Sequence, residues 1–427
     1  MNKYALTNCI ILDGTADMKP VSGKAVLVDG EKIADIVDVS AIPAEYEKAD
    51  LGGQYVLPGL INMHVHIPGS GKPKKKPTDT KKLVKLLTSN DLFRKAVAVM
   101  YAKYAKTELY SGVTTLRSVG GVENFDTLTR DKINSGKLVG PRILAGNMAV
   151  SVPGGHMAGS LAYEATTPEQ AAAFVEKIAV DKPDLIKLMI TGGVLDAEEV
   201  GTPGVLKMQP ELVRAACDKA HELGFAVAAH VESPEGVRVA LENGVDTIEH
   251  GAKPDEHIIS LFKERKAAHI ATLSPALPYA LFDLSVSNCE EKDKLNGQVV
   301  FDGIIDCAKE CLANGVPVGL GTDVGCPFIT HYDMWREVNY FVKYCGVSKA
   351  FALHTATQVN AEIAGIDKVT GTVEKGKCAD LIVTKLNPLD DLQALRNISE
   401  VITRGKRIIA PKVKKMANVE IELDKYL

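Results

Sequence analysis

Val56-Leu-Pro-Gly-Leu-Ile-Asn-Met-His-Val-His66 is an apolar run that ends in two histidines two residues apart. Successive side chains of a strand alternate between faces, so His64 and His66 project from one face, a pleat apart. Two imidazoles converging in this way suit a zinc-like ion, because neutral imidazole is a common donor to such metals. The same pair also fits two hydrogen-bonded histidines at a strand end. What the rest of the chain brings to the same place decides between the two readings.

The surrounding 427 residues are enough for one large domain and a smaller one. A hydrophobic fraction of 46% describes a globular chain, and no run approaches the roughly 18 apolar residues of a membrane span. Met1 leads straight into strand-like sequence without the segments of a signal peptide, so a cytoplasmic protein is expected. A net charge of −4 gives no reason to expect nucleic acid or membrane as a partner. Eight scattered cysteines lack the density of a disulfide scaffold and are expected as free thiols. Cys307 and Cys311 share a helix face, but two ligands do not make a structural zinc site, and packing is the expected role.

From residue 56 onward strands alternate with helices. Eight strand candidates stand at 56–66, 113–120, 141–150, 185–192, 226–233, 247–251, 268–275 and 316–325. Glu211 to Leu223 has helical spacing with Gly224 at its stop, and Ser233-Pro-Glu marks another helix start. Eight such units predict an α/β fold, a (β/α)8 TIM barrel whose chemistry sits at the C-terminal strand ends. A doubly wound sheet is the runner-up, but no glycine-rich phosphate fingerprint follows the first strand. Before residue 55 and after about 376 the chain reads as short strands, with Asp-Gly turns at 13–14 and 29–30, that build one shared small sheet. Lys72 to Lys85 reads as a basic loop, either solvated or steering an anionic substrate, and 276–296 as a long loop and lid.

The polar residues at the C-terminal strand ends form a set. Besides His64 and His66 there are Lys187 in an apolar fourth strand, His230 ending the fifth, His250 on the sixth and Asp323 after the eighth. Singly each has an ordinary explanation: Lys187 paired with an acid such as Glu249, or His230 as a satisfied core histidine. Four histidines, a lysine and an aspartate at the reactive ends of different strands read together as a metal site.

This set resembles the metal-dependent amidohydrolase superfamily. Val-Leu-Pro-Gly-Leu-Ile-Asn-Met-His-Val-His, Thr247-Ile-Glu-His-Gly and Gly321-Thr-Asp also match its phrases, as does Gly371-Thr-Val-Glu-Lys-Gly-Lys-Cys-Ala-Asp-Leu-Ile-Val. The resemblance implies a small β-sandwich domain from residues 1–55 and 365–427 around a catalytic barrel at 56–364. It implies that Lys187 is carboxylated and bridges two divalent ions, with zinc expected. A buried amine loses its proton more easily, and the neutral amine can add CO2. His64, His66 and Asp323 would hold one metal, and His230 and His250 the other. A bridging hydroxide would attack an amide carbonyl, with Asp323 as proton shuttle. One-metal deaminases of the superfamily do not need the lysine, which counts against deamination.

Ser111-Gly-Val-Thr-Thr-Leu-Arg117-Ser118-Val-Gly-Gly is similar to a phrase of the prolidase-like (Xaa-Pro dipeptidase) and imidazolonepropionase-related branch. Ser118 stands there in place of an aspartate, which leaves a contact of Arg117 in question. Gly140-Pro-Arg-Ile followed by Gly154-Gly-His156 places His156 after the third strand, near substrate or bracing its loop. His331 has similar family counterparts. Where the dipeptidase branch has an aromatic pair after the fifth-strand histidine, this chain has Val231 and Glu232. Glu232 would face the cavity and repel a carboxylate, unless it caps the next helix or pairs with Arg238. The expectation is a hydrolase of a small-molecule amide, such as a dipeptide or N-acyl amino acid, working as a homo-oligomer, with His156, Arg117 and Glu232 at the substrate. Opening of a cyclic amide (imidazolone, hydantoin or lactam) is the alternative, and a silent scaffold the third reading.

Overall fold

The run from Val56 to His66 divides at Gly59 in the computed structural model of the protein, which describes residues 3–73 and 79–427. Its first part ends a strand, Glu47–Pro58, of the small terminal sheet, and its second part is the first barrel strand, β1 (Leu60–Val65). The sequence expectation ran the two together because both are apolar. A Cβ on Gly59 would lie 2.1 Å from the Thr114 hydroxyl oxygen, so only glycine lets the chain turn there.

The other barrel strands are β2 (Val113–Ser118), β3 in two pieces (Arg142–Ala145 and Ala149–Ser151), β4 (Leu185–Met189), β5 (Ala226–Val231), β6 (Thr247–His250), β7 (Ala268–Ala271) and β8 (Val318–Leu320). From the second piece of β3 to β8 each pairs in parallel with the next in chain order. A further short strand, Ala162–Glu164, pairs in parallel with the second piece of β3. β1, β2 and the first piece of β3 are neighbours in a three-stranded sheet. The ring closes where Asp323 N–H donates to His64 O (2.8 Å) and His66 N–H donates to Val324 O (3.0 Å). The fold is the expected (β/α)8 barrel, with strands that are almost wholly buried.

Helix starts follow local chemistry. Thr167, Ser233 and Asp255 accept from the backbone N–H three residues on, ahead of helices Pro168–Ala179, Pro234–Glu242 and Glu256–Arg265. Prolines occupy the first turns at 168, 210 and 234. The expected lid at 276–296 is instead mostly helical: Leu273–Leu281, Leu284–Ser287 and the start of Glu291–Ala313. Pro275 and Pro278 disguised the first of these, since proline lacks the N–H that an interior turn uses. Of the expected basic loop, Lys74 to Lys76 lie outside the described residues, and Thr80–Leu87 is a helix capped by Asp79.

Residues from both termini form a seven-stranded sheet in the order 406–409, 398–403, 381–384, 47–58, 3–11, 24–29, 32–38. All pairs are antiparallel except Lys3–Ile11 with Glu47–Pro58. The sheet curls until its ends meet. Ile33 N–H donates to Lys377 O (2.9 Å), and a Cβ on Gly405 would lie 1.9 Å from Gly30 O. Tyr4, Leu6, Ile11, Val26, Ile33, Val56, Leu381 and Ile402 pack in the core so enclosed. Asp29-Gly30 makes the expected hairpin turn, whereas Asp13-Gly14 opens a longer loop.

By packing, the chain forms two compact units: Met1–Asn62 with Lys106–Leu116 and His331–Leu427, and Met63–Ala105 with Arg117–Thr330. All eight cysteines are free. Among the described residues no helix is long and apolar enough to cross a membrane.

Candidate metal centre

All six residues read as ligands belong to the second unit; Lys187 stands in the middle of β4, and the other five lie at or just beyond the C-terminal ends of their strands. One ligand atom from each of His64, His250 and Asp323 lies within 4.8 Å of the others, and the same holds for His230, Glu232 and His250. His250 belongs to both groups. The rings of His64 and His250 are 4.8 Å apart and those of His230 and His250 4.7 Å. His66 Nε2 sits 3.2 Å from Asp323 Oδ1, and His64 Nε2 3.5 Å from the same oxygen.

Three imidazoles are anchored through Nδ1. His64 donates to Glu249 Oε2 (2.7 Å), His66 donates to Gly120 O (2.7 Å), and His250 shares a hydrogen bond with Thr272 Oγ1 (2.7 Å). This leaves Nε2 of each for another partner, the orientation that outer hydrogen bonds impose on metal-binding histidines. His230 differs, because its Nε2 faces Gly192 O at 3.4 Å.

Arg117 lies behind His64. Its Nε, Nη1 and Nη2 donate to Met63 O (2.8 Å), Thr247 Oγ1 (3.1 Å) and Glu249 Oε1 (2.6 Å), and Glu249 holds His64 with its other oxygen. Thr247 Oγ1 donates to the same Glu249 oxygen (2.7 Å). Glu249 is therefore the partner of His64 and Arg117, not of Lys187. The acid in question beside Ser118 comes from further along the chain: Ser118 Oγ donates to Asp126 Oδ2 (2.7 Å), as does Asn147 N–H (3.0 Å). Sequence reasoning missed Thr247 and Glu249 in this role, although their alternate positions on β6 put them on one face. Thr272 and Asp126 carried no local signal.

Lys187 is fully buried, and its Nζ has no hydrogen-bond partner. Burial pulls its ammonium down to about 8 against the pull of Glu249 and Asp323. Burial likewise holds His64 and His230 well below the usual imidazole range, and brings His250 down to about 3. For Asp323 burial acts upward, but His64, His66 and His250 outweigh it and keep the carboxyl well below its ordinary range. Neutral imidazoles, an ionised aspartate and an easily deprotonated amine are the protonation states that metal ligation requires. The donor set and the orphaned Lys187 nitrogen thus fit a metal site.

His156 and Glu232 both reach this place. The His156 ring stacks on His230 with centroids 4.1 Å apart, and its Nδ1 is 2.5 Å from Asp196 Oδ2, which also accepts from Gly193 N–H (2.9 Å). Glu232 does not cap the following helix, a task done by Ser233, and Arg238 pairs with Glu242 instead. Its Oε2 is buried without a hydrogen-bond partner. Burial first, then Asp323 and Asp196, push its carboxyl well above the usual range. His331 belongs to the other unit, where its Nδ1 meets buried Glu108 at 3.0 Å.

Comparison with known proteins identifies the family. A candidate prolidase from Bifidobacterium longum is 36% identical, with a TM-score of 0.88 over 99% of this chain and 98% of its own. A Xaa-Pro dipeptidase solved with methionine in its active site is 29% identical, with a TM-score of 0.82 over 96% of this chain and 100% of its own. Ochratoxinase of Aspergillus niger is 24% identical over 92% of this chain and 85% of its own length. Residues 3–56 match the NagA composite domain, and residues 55–408 match the Amidohydrolase family. The chain belongs to the amidohydrolase family, and is a metal-dependent hydrolase acting on carbon–nitrogen bonds.

Proposed function

We propose a two-metal amidohydrolase that cleaves the C–N bond of a small-molecule amide, nearest to the prolidase-like branch, with a dipeptide or an N-acyl amino acid as substrate. The observation that carries this reading is Lys187, a fully buried amine without a partner among four histidines and an aspartate. As a carbamate it would offer two anionic oxygens, one for each ion. His64, His66 and Asp323 would hold one ion, and His230 and His250 the other, with zinc expected from the imidazole-rich set. When bound, the ions would supply Lewis acidity, activating water near neutral pH and polarising the carbonyl.

The chain's own residues do the rest. Asp323, kept ionised by its histidines, takes the proton released as water attacks and delivers it to the departing nitrogen. Arg117 acts as a positioning residue through Glu249 and His64, in place of the substrate contact expected for it, since three of its nitrogens are already engaged. His156, stacked on His230 and braced by Asp196, contacts substrate from the β3 loop. Glu232 faces a cationic or hydrogen-bond-donating group of the substrate, whose arrival would draw its carboxyl back to the ionised form, in which it would repel a carboxylate. Similarity to a Xaa-Pro dipeptidase with bound methionine supports an amide carried by an amino acid.

Metal analysis and a substrate panel test the proposal. Elemental analysis should find two more ions per chain in the wild-type protein than in a variant with His64, His230 and His250 replaced, and a chelator should abolish turnover until metal is restored. A single ion in fully active protein would overturn the two-metal reading. Dipeptides and N-acyl amino acids should be turned over in preference to hydantoins, imidazolones and lactams; the reverse order would establish the cyclic-amide alternative. Within the linear substrates, Glu232→Gln should erode selectivity for those with a cationic group by roughly tenfold, the size of one lost charge-assisted contact.

A further inference from the structure

On the outer side of β7 a second group of ligand-type side chains is buried that the hydrolytic centre does not use. One imidazole nitrogen of His269 and the sulfurs of Cys307 and Cys311 lie within 4.8 Å of one another. His269 comes from β7, and the two cysteines stand one turn apart on the helix Glu291–Ala313. All three side chains are fully buried. His269 Nε2–H donates to His250 O at 2.6 Å, so Nδ1 carries the free lone pair, and this nitrogen has no partner. A metal-binding histidine ordinarily donates its other N–H to a carboxylate or a backbone carbonyl, as His269 does here. Leaving a buried acceptor unsatisfied is unfavourable, so some occupant of the site is favoured. Gly251 lets the backbone pass close beside the group: a Cβ there would lie 2.9 Å from both Cys307 Sγ and His269 Nε2.

We propose that His269, Cys307 and Cys311 bind one divalent thiophilic ion, zinc in the cell, at a site distinct from the hydrolytic centre. On binding, each thiol releases its proton to solvent. Two thiolates and a dication sum to zero charge, which suits a buried site. Sulfur and imidazole ligands select zinc or cadmium over the oxygen-seeking cations. The ion would tie β7 to the helix Glu291–Ala313. Drawing on Nδ1, it would also strengthen the hydrogen bond from His269 to the backbone of His250.

Cadmium is the probe, supplied in the growth medium so that it is present while the chain folds. The wild-type protein should show the ultraviolet charge-transfer band of cadmium–thiolate bonds. Cys307→Ser and Cys311→Ser should each lose that band together with one ion per chain. Cys326→Ser should keep both; its sulfur lies 3.8 Å from Asp323 Oδ2, so it controls for thiolate ligation in the hydrolytic centre. Absence of the band from cadmium-grown wild type overturns the proposal without recourse to any variant. So does a band that disappears only in Cys326→Ser. The readout is independent of turnover, so loss of the two-metal mechanism would leave it standing.

Discussion

Two buried cations in this protein live in opposite surroundings. Arg336, with no side-chain exposure, is met by Asp333 (3.1 Å), Glu420 (3.1 Å) and Asp424 (2.6 Å), while Arg396 joins the last two acids. Both guanidiniums also lie over the Trp335 ring. Lys187 is as deeply buried and meets no hydrogen-bond partner. A cation matched by three carboxylates of its own chain holds the architecture together. One left unpaired where charge is costly is kept for something the chain does not itself contain.

Substitution at each should separate the two roles. Lys187→Ala should lose bound metal and activity together, with partial rescue by short carboxylic acids; full metal occupancy in the variant would end the carbamate bridge. Lys187→Met should cost the metal-free protein little or no thermal stability, because no partner is orphaned. Asp323→Asn should keep metal and lose roughly 10²-fold or more in kcat, and an unchanged kcat would remove it as the proton shuttle. Arg336→Leu should reverse the pattern. Orphaning its carboxylates costs about 3–5 kcal/mol of folding stability by denaturant titration, while metal content in the folded fraction stays the same.

The smallest effect is set by pH. Burial, offset in part by Ser118 and Asn147, raises the Asp126 carboxyl to about 6. Between the ordinary carboxyl range and that value the folded protein holds a proton that the unfolded chain has released. This group's contribution therefore falls as pH rises from about 4 to about 6, by about 3 kcal/mol in all. Asp126→Asn should flatten that part of the stability profile relative to wild type. Parallel profiles would show that Asp126 does not titrate there.

The sequence was most legible where chemistry and strand periodicity coincide. His64, His66, Lys187, His230, His250 and Asp323 could be placed in strands or at their ends because apolar runs mark the strands and polar residues interrupt them. What supports them was hidden. Glu249 could be suspected only as a partner for Lys187, because nothing local says that Arg117, far away in the chain, reaches it first. Thr272, Asp196 and Asp126 stand beyond strand ends, at the starts of helices or in short turns whose placement depends on the completed barrel. Gly59 looked like one more residue of a long strand, since the crowding against Thr114 that requires a glycine exists only after folding.

The curled terminal sheet bears on how the chain comes into being. Strand 47–58 is made early, yet its partner, residues 381–384, follows the whole barrel. At a synthesis rate of ~10 residues per second the early strand waits on the order of half a minute with an unpaired edge. A strand kept waiting is a template for misassembly. Nascent chains of this protein should therefore depend on chaperones over that interval, and chains truncated before residue 381 should aggregate even though every hydrolytic residue has already been made.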